Sequence, residues 1–184
     1  AVNANCSAVT VDVSRSRIGG GGTPISVANG ATLNLTNSVL ESGDYSPIGI
    51  YNAKGLPTTV GLDQVTVVAV GDNTRPVIQA KVGDVVAATG DIVIGVKNSI
   101  FAGFQKAWDI EAPASASRGD ISLNLQYSNF APAGDVVGDA AANSSVGNID
   151  QNPGFAGISD YHRTPSSPAV DSGDPGQTDP IFDI

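Results

Sequence analysis

The sequence predicts an all-β protein, a right-handed parallel β-helix (solenoid) closed by a loop-rich C-terminal cap. Three observations predict it: a phrase of eight residues that recurs, the alternation of apolar and polar residues within that phrase, and the composition. The chain has 22 Gly and 11 Pro among 184 residues, and 15% of its residues are charged, against about 25% in an average soluble domain. Abundant Val, Ile and Thr favour strands over helices.

The recurring phrase is clearest as LNLTNSVL at 33–40, and it returns as IGVKNSIF at 94–101. Looser copies lie at 60–67 and 123–130, and an earlier one begins at Val11. Repeats with a period of about 30 residues indicate a solenoid in which each repeat forms one coil. The alternation within the phrase is strand spacing, and connections between parallel strands are right-handed as a rule. The sequence therefore predicts about five right-handed coils of stacked strands.

Alternation also assigns the two sides of each strand. The apolar positions are predicted to point into the coil, and they are Leu33, Leu35, Val60, Leu62, Ile94, Val96, Leu123 and Leu125. Stacking in register turns the outward positions into ladders, one of which reads Ser14, Thr36, Asp63, Lys97 and Gln126. A second short strand in each coil is predicted at 24–27, 48–50, 77–80, 108–110 and 136–137. A third stretch precedes the next phrase, clearest at 85–86 and 112–118.

The repeat pattern stops near Gly138, after which Pro, Gly, Asp and Ser dominate. We therefore assign residues 1–137 to the coils and residues 138–184 to a C-terminal capping segment of the same domain. A solenoid has an open end that needs cover, because unpaired strand edges promote aggregation. The segment 138–184 is predicted to provide that cover.

The net charge of −9 argues against nucleic acid as a partner, since phosphates require a Lys/Arg surface. The same charge disfavours anionic membranes and acidic polysaccharides, and no apolar run approaches the length that spans a bilayer. Cys6 is the single cysteine, so no internal disulfide can form. The chain begins at Ala1 and contains no Met, which predicts a mature product or an excised piece of a longer protein.

Two parts of the chain resemble known bacterial surface proteins. The Gly-rich stretch 19–38 and the segment 49–52 (GIYN) resemble the repeat unit of polymorphic outer-membrane-protein-like passengers. The segments 147–155, 160–162 and 167–175 are similar to the element that closes the β-helix in secreted proteins of the choice-of-anchor-Q type. The resemblance implies a β-helix attached to the bacterial cell surface or secreted, hence extracellular, and it implies no single activity.

The chain departs from this resemblance at two places. Arg163 stands where the family usually has an apolar residue, which affects local packing. Family members continue beyond the position of Ile184 with a sorting or anchor segment, so the resemblance implies that a downstream part is absent from this sequence, and an upstream part can be absent as well.

Candidate chemistry is sparse, and the sequence predicts no catalytic residues. Polysaccharide-cleaving β-helix enzymes need charged groups clustered on one outward face, whereas here Asp63 and Lys97 lie on neighbouring coils as an exposed pair of the kind that contributes little. His162, the only histidine, is interpreted as a hydrogen-bonding residue of the cap. Trp108 and Tyr127 are candidates for a binding face, although Trp108 shares its strand parity with Ile110, which favours core or strand-edge packing. For Tyr127 both interpretations stay open.

A calcium ion is the one cofactor that the sequence leaves open, because several Asp residues lie in loops and Ca²⁺ prefers oxygen ligands. Asp171 and Asp174 are the candidate ligands, and a pair of Asx turns is the alternative. The other loop carboxylates considered are Asp72, Asp135, Asp139, Asp150, Asp160 and Asp179. The amides of Asn37, Asn98 and Asn129 are predicted to hold bends of the coil.

The predicted function is a non-catalytic structural or adhesive module that also assembles through its coil edges. Its predicted partners are other surface proteins, further copies of itself or glycans, with no nucleic acid and no direct membrane insertion. The alternative is a carbohydrate-active enzyme of the lyase or hydrolase kind, or a carbohydrate-binding β-helix protein. A groove in which Trp108, Tyr127, Asp63 and Lys97 converge would favour that alternative.

Overall fold

The computed structural model describes residues 1–20, 22–130, 132–157 and 159–176, with the side chain of Asp72 left undescribed. Over these ranges the chain is all-β, and no helix that could cross a membrane is found in them. The strands are β1 (Val2–Ala4), β2 (Thr10–Ser14), β3 (Arg17–Gly20), β4 (Ile25–Ala28), β5 (Thr32–Ser42), β6 (Ile48–Asn52), β7 (Thr58–Val82), β8 (Ile92–Lys97), β9 (Ile100–Ala112), β10 (Ile121–Gln126), β11 (Asn129–Phe130), β12 (Asp135–Gly138) and β13 (Ala140–Ser144).

All pairings between these strands are parallel, and they fall into three columns. The first column contains the start of each repeated phrase, in the order β2, 32–36 of β5, 58–63 of β7, β8, β10 and β13. The second contains β3, 38–42 of β5, 65–69 of β7, 100–102 of β9 and β11. The third contains β1, β4, β6, 78–82 of β7, 108–112 of β9 and β12. The predicted all-β parallel architecture is confirmed, and the arrangement is compatible with a β-solenoid.

The interior is a stack of aliphatic side chains. All eight residues that were predicted to point inward are at most 2% exposed, and the register places like over like: Leu33 pairs with Val60, and Val60 with Ile94. Burial of each such side chain stabilises the fold by roughly 1.5–3 kcal/mol. The core is therefore one continuous apolar column rather than a set of separate clusters.

The bend between the first and second columns occurs at a residue with positive φ in every layer. These residues are Arg15 (φ 48°), Asn37 (φ 45°), Gln64 (φ 57°), Asn98 (φ 51°), Tyr127 (φ 48°) and Gly147 (φ 70°). Asn and Gly tolerate this left-handed conformation best. Asn37 and Asn98 occupy the bend, as predicted. In the layer of Asn129 the bend lies at Tyr127. Asn129 is a buried residue of β11 whose Oδ1 accepts the backbone amide of Gln151 at 3.3 Å, so its structural role is found just after the bend.

A ladder of serines follows the bend. Ser16, Ser38, Ser99 and Ser128 each donate a hydroxyl hydrogen bond of 2.7–2.9 Å to the carbonyl two residues earlier. The hydroxyls also accept amides from the neighbouring layer, at 3.1 Å from Ser16 N to Ser38 Oγ and from Ser99 N to Ser128 Oγ. Where Val65 interrupts the ladder, its amide donates to Ser99 Oγ at 3.1 Å. The repeated Ser therefore satisfies backbone groups that the bend would leave unpaired.

Two segments differ from the sequence-based assignment. Residues 85–86, interpreted as part of a third stretch, lie in a loop in which Val86 is 83% exposed. The third strand of each coil is instead the second half of the repeated phrase, beyond the bend. Parallel pairing also continues past residue 137, since β13 pairs with β10 over five residues.

The segment after the parallel bridge of Ile149 with Asn129 forms a tail (described residues 151–157 and 159–176) that lies along the side of the stack and contains an antiparallel bridge between Phe155 and Arg163. Tyr161 contacts Glu41 of β5, and Asp174 contacts Lys97 of β8. The tail thus spans several layers laterally, and it helps to cover the outward residues Val39 and Ile100, which are 8% and 9% exposed. The capping of an open end stays a prediction, and residues 177–184 lie outside the described part of the chain.

Candidate functional site

The predicted outward ladder exists as a row on the first column. Thr36 pairs with Asp63, Asp63 with Lys97, and Lys97 with Gln126. A second outward row runs beside it and consists of Asn34, Gly61, Gly95 and Asn124. The two rows together form one long face of the stack, parallel to its axis.

Small residues make this face a shallow trough. Gly61 and Gly95 are adjacent in the middle of the second row, and a Cβ added at Gly95 would meet no heavy atom within 4 Å. Asn34 and Asn124 stand at either end of this glycine floor, and the wider lining of the trough includes Thr36, Asp63, Lys97 and Gln126. The trough therefore offers amides, a carboxylate and an ammonium group around an open floor, which suits an extended polar ligand.

Asp63 and Lys97 are neighbours in register, yet the structure gives each another partner. Lys97 Nζ lies 2.6 Å from Asp174 Oδ2 of the tail, and Asp63 Oδ1 accepts a 3.0 Å hydrogen bond from Asn98 Nδ2. The hydrogen bond with Asp174 raises the pKa of Lys97, and the nearby charge of Asp63 adds to the effect. Lys97 consequently stays charged and anchors the tail beside the trough.

Trp108 does not reach this face, and its assignment to a binding face is corrected. It lies in the third column, is 4% exposed, and packs edge-to-face on Phe130 with ring centroids 5.4 Å apart. Tyr127 is half-buried at the bend, where it packs so closely over Gly147 that a Cβ there would lie 2.2 Å from its ring. The structure therefore brings Asp63 and Lys97 to the trough, whereas Tyr127 lines the space between stack and tail, and Trp108 is buried in the third column.

No group of three or more His, Cys, Asp or Glu side chains that could hold a metal occurs within the described ranges. Asp174 has both carboxylate oxygens engaged, one by Lys97 and the other by the amide of Gly176 at 2.8 Å. Asp171 adopts φ 58° in an exposed turn. These contacts suit turn and anchor roles, and Asp179 lies outside the described residues.

The tail is held at its other end by a cluster that the sequence did not reveal. Arg17 binds both carboxylate oxygens of Glu41, at 2.9 and 2.6 Å, and its guanidinium lies 5.5 Å from the centre of the Tyr161 ring. Tyr161 donates its hydroxyl to Glu41 Oε1 at 2.5 Å. The Arg17 hydrogen bonds lower the pKa of Glu41, whereas burial, chiefly, and the Glu41 hydrogen bond raise the pKa of Tyr161 to about 12.

The only histidine is also a local contact of the tail. His162 Nδ1 pairs with Asp160 Oδ1, and the His162 backbone amide donates to the same oxygen at 3.1 Å. The pairing with His162 lowers the pKa of Asp160. Both side chains are about half exposed, which agrees with the hydrogen-bonding role predicted for His162.

A crevice of about 220 Å³ separates the tail from the stack. Its walls include the bend residues Asn37 and Gln64 on the stack side and Arg163 on the tail side. Arg163 donates to the carbonyl of Ala169 at 2.5 Å, so this side chain links two parts of the tail. The buried Nε2 of Gln64 and Nδ2 of Asn129 have no hydrogen-bond partner among the described residues, which is consistent with a polar, water-holding seam.

Comparison with known proteins found no matching family model, no matching curated protein and no matching solved structure.

Proposed function

We propose that this chain is a non-catalytic structural or adhesive module of a bacterial cell-surface or secreted protein, built as a right-handed parallel β-helix. The observation that carries the proposal is the unbroken parallel pairing of the first column from β2 to β13 over a continuous aliphatic core. The right-handed sense rests on the general rule for parallel connections. The choice-of-anchor-Q and polymorphic outer-membrane-protein-like resemblance supports the extracellular location.

The stack suits a mechanical or presenting role for a physical reason. The backbone groups of an inner strand bond alternately to the two neighbouring layers, so local opening requires several layers to separate. Several charged side chains on its flanks pair between adjacent layers or with the tail, as Lys81 does with Glu111 at 2.9 Å. A rod of this kind resists proteases and holds its surface loops at fixed spacing.

The first test is a joint measurement of binding and cleavage. The purified chain is screened against neutral and acidic polysaccharides, with and without Ca²⁺, and depolymerisation is scored together with binding. We expect no depolymerisation and no change on addition of Ca²⁺. Cleavage of any substrate would overturn the non-catalytic proposal. Protease treatment of intact source cells, followed by immunodetection of this domain, tests the extracellular location.

A second candidate function, carbohydrate binding, is favoured by the trough over Gly61 and Gly95. The sharpest probe is Gly95→Trp, because the added side chain would enter open space and fill the floor. Gly95→Trp should abolish binding of any polysaccharide found in the screen while leaving the unfolding midpoint unchanged. Val93→Ala, on the same strand and 40% exposed, is the control. Binding that survives Gly95→Trp would place the ligand elsewhere.

A further inference from the structure

Among the described residues of this 184-residue chain, the strands at the two ends of the stack each have one unpaired edge. The path of paired strands begins at β1 and ends at β13, and the outer edges of β1 to β3 and of β12 and β13 pair with no other described strand. Both edges leave core residues incompletely covered: Val11 and Val13 at the first, Ala142 and Val136 at the second. Val136, in line with buried Ile110, is 44% exposed.

The backbone of β2 shows which groups point off the first edge. Val9 O accepts from Thr32 N at 2.8 Å, and Arg15 N donates to Thr36 O at 3.3 Å. Odd-numbered residues of this segment therefore bond towards β5. Because backbone groups alternate along a parallel strand, the N–H and C=O of Asp12 point away from the stack.

The backbone of β13 is arranged in the complementary way. Ser145 N donates to Leu125 O at 3.1 Å, so odd-numbered residues of β13 bond towards β10. By the same alternation, the N–H and C=O of Ala142 and Ser144 point off the last edge. A residue paired in parallel with position 143 bonds to positions 142 and 144, which are the two whose groups are free.

We propose that a second copy of this chain stacks head to tail on the first, with Asp12 of one copy opposite Asn143 of the other; this rests on the proposed structural function and names its partner. The register follows from the first column, in which Asp12 pairs with Asn34, Asn34 with Gly61, Gly61 with Gly95, and so on to Asn143. The free groups of Asp12 then meet those of Ala142 and Ser144.

The side chains across this junction match in chemistry. In the first column the carboxylate of Asp12 lies opposite the amide of Asn143. In the third column the same continuation of register places Asn3 opposite Asp135, again an amide opposite a carboxylate. Ala4 then covers the exposed Val136, and Val11 covers Ala142, so the apolar core continues from copy to copy.

The charges of the two ends also favour a head-to-tail contact. The first edge carries the cation Arg15, while the charge of Arg17 is paired with Glu41. The last edge carries Asp135 and Asp139, and the chain has no Lys or Arg between Arg118 and Arg163, a stretch that includes both of its strands. Such a contact joins two different surfaces, and a heterologous contact whose rotation does not close generates an open filament. A contact between two first edges would instead pair the strands antiparallel.

Sedimentation velocity of the 184-residue chain across a wide concentration range tests the proposal. The wild type should form a ladder of oligomers. Asp12→Pro and Ala142→Pro each remove an N–H that points off an edge, and proline is tolerated there, so each variant should be monomeric. The matched controls Asp12→Ala and Ala142→Gly keep the N–H and should still assemble. Mixing the two proline variants should give a dimer with one junction.

A second pair of variants avoids proline altogether. Asn143→Asp places two carboxylates opposite each other and should weaken association at least tenfold, and the double variant Asp12→Asn, Asn143→Asp should restore it. Both positions are exposed, so folding is preserved. A wild type that remains monomeric at millimolar concentration overturns the proposal, as does unaltered assembly of both proline variants. Neither result changes the interpretation of the polysaccharide screen, which tests the proposed function separately.

Discussion

The stack and the tail are held in place by different interactions. The largest fully buried side chains all belong to the stack, among them Leu33, Ile78, Ile94 and Leu123. Of the described tail residues, Ala169 is the one hydrophobic residue that is buried. The tail is fastened by polar contacts at its two ends, Tyr161 on Glu41 and Asp174 on Lys97.

This difference distinguishes the stack, whose apolar burial stabilises the fold, from the tail, which is attached to the side of the stack. Apolar burial is not weakened by Debye screening or by titration, whereas ion pairs near the surface are weakened by both. The stack should therefore unfold as one robust unit. The tail should detach under conditions that leave the stack intact. Variants in the core and the serine ladder test the stability of the stack, and changes in pH or in the ion pairs test the attachment of the tail.

The largest effect is expected from a cavity in the core. Ile94→Ala should lower the free energy of unfolding by roughly 2–5 kcal/mol, since Ile94 is fully buried between Val60 and Leu123. Chemical denaturation followed by circular dichroism measures the change. Val93→Ala, its outward neighbour at 40% exposure, is the matched control and should cost far less. Equal costs for the two would mean that the assigned sides of β8 are wrong.

A smaller effect is expected at the serine ladder. Ser99→Ala removes the acceptor of the Val65 amide and the donor to the Lys97 carbonyl at a site 1% exposed. An amide left unpaired in a buried position costs about 1–3 kcal/mol, which the same denaturation experiment would detect. Ser117→Ala, at an exposed loop position, should be neutral. An unchanged midpoint for Ser99→Ala would show that water replaces the hydroxyl.

The repeated phrase was sufficient to predict the stack, since its alternation fixes which residues face the core and its period fixes which residues become neighbours. The bend within the phrase was harder to predict. Asn37 and Asn98 signal a left-handed residue, but Gln64 and Tyr127 occupy the same bend and carry no such signal. Tertiary pairing on both sides imposes that conformation on residues that do not favour it.

Only the part of the candidate site that lies on the stack could be predicted from the sequence. The ladder Thr36, Asp63, Lys97 and Gln126 follows from the register, but the partner of Lys97 does not. Asp174 is 77 positions further along the chain and reaches Lys97 only because the tail folds along the side of the stack. Trp108 fails as a binding-face candidate because it shares its parity with Ile110 and packs on Phe130 inside the third column, as alternation favoured.

The tail should detach in acid before the stack unfolds. Lys97 lowers the pKa of Asp174 from its ordinary 3.8, and Arg17 lowers that of Glu41 from 4.5. A carboxyl group whose pKa is lower in the folded state contributes fully above its unfolded pKa, and the contribution is lost as pH falls through the folded value. Amide chemical shifts of 159–176 should therefore change below about pH 4, while those of β8 and β10 persist.

The variant Asp174→Asn tests whether the charge of Asp174 is responsible for this acid transition. It removes the charge while keeping a side chain of the same shape, so part of the tail shift should already be present at neutral pH. At alkaline pH the dependence has the opposite sign, because the folded state raises the pKa values of Lys97 and Tyr161, that of Tyr161 to about 12. Their contributions are complete below pH 10 and are lost as pH rises through those values. A tail that stays docked across the acid range would mean that apolar contacts hold it.

The smallest effect is expected from removing one lysine of an ion pair, and it should differ between Lys81 and Lys97. Lys81 pairs with Glu111 of the next layer, and both side chains are about half exposed, so Lys81→Ala should change neither the unfolding midpoint nor the tail shifts, because solvent screens such pairs. Lys97→Ala should also leave the midpoint unchanged but should increase hydrogen exchange in 159–176. If Lys81→Ala destabilised the stack as much as Ser99→Ala, the ion pairs on the flanks of the stack would contribute measurably to its stability. The contrast between a stack held by apolar burial and a tail held by polar contacts would then be wrong.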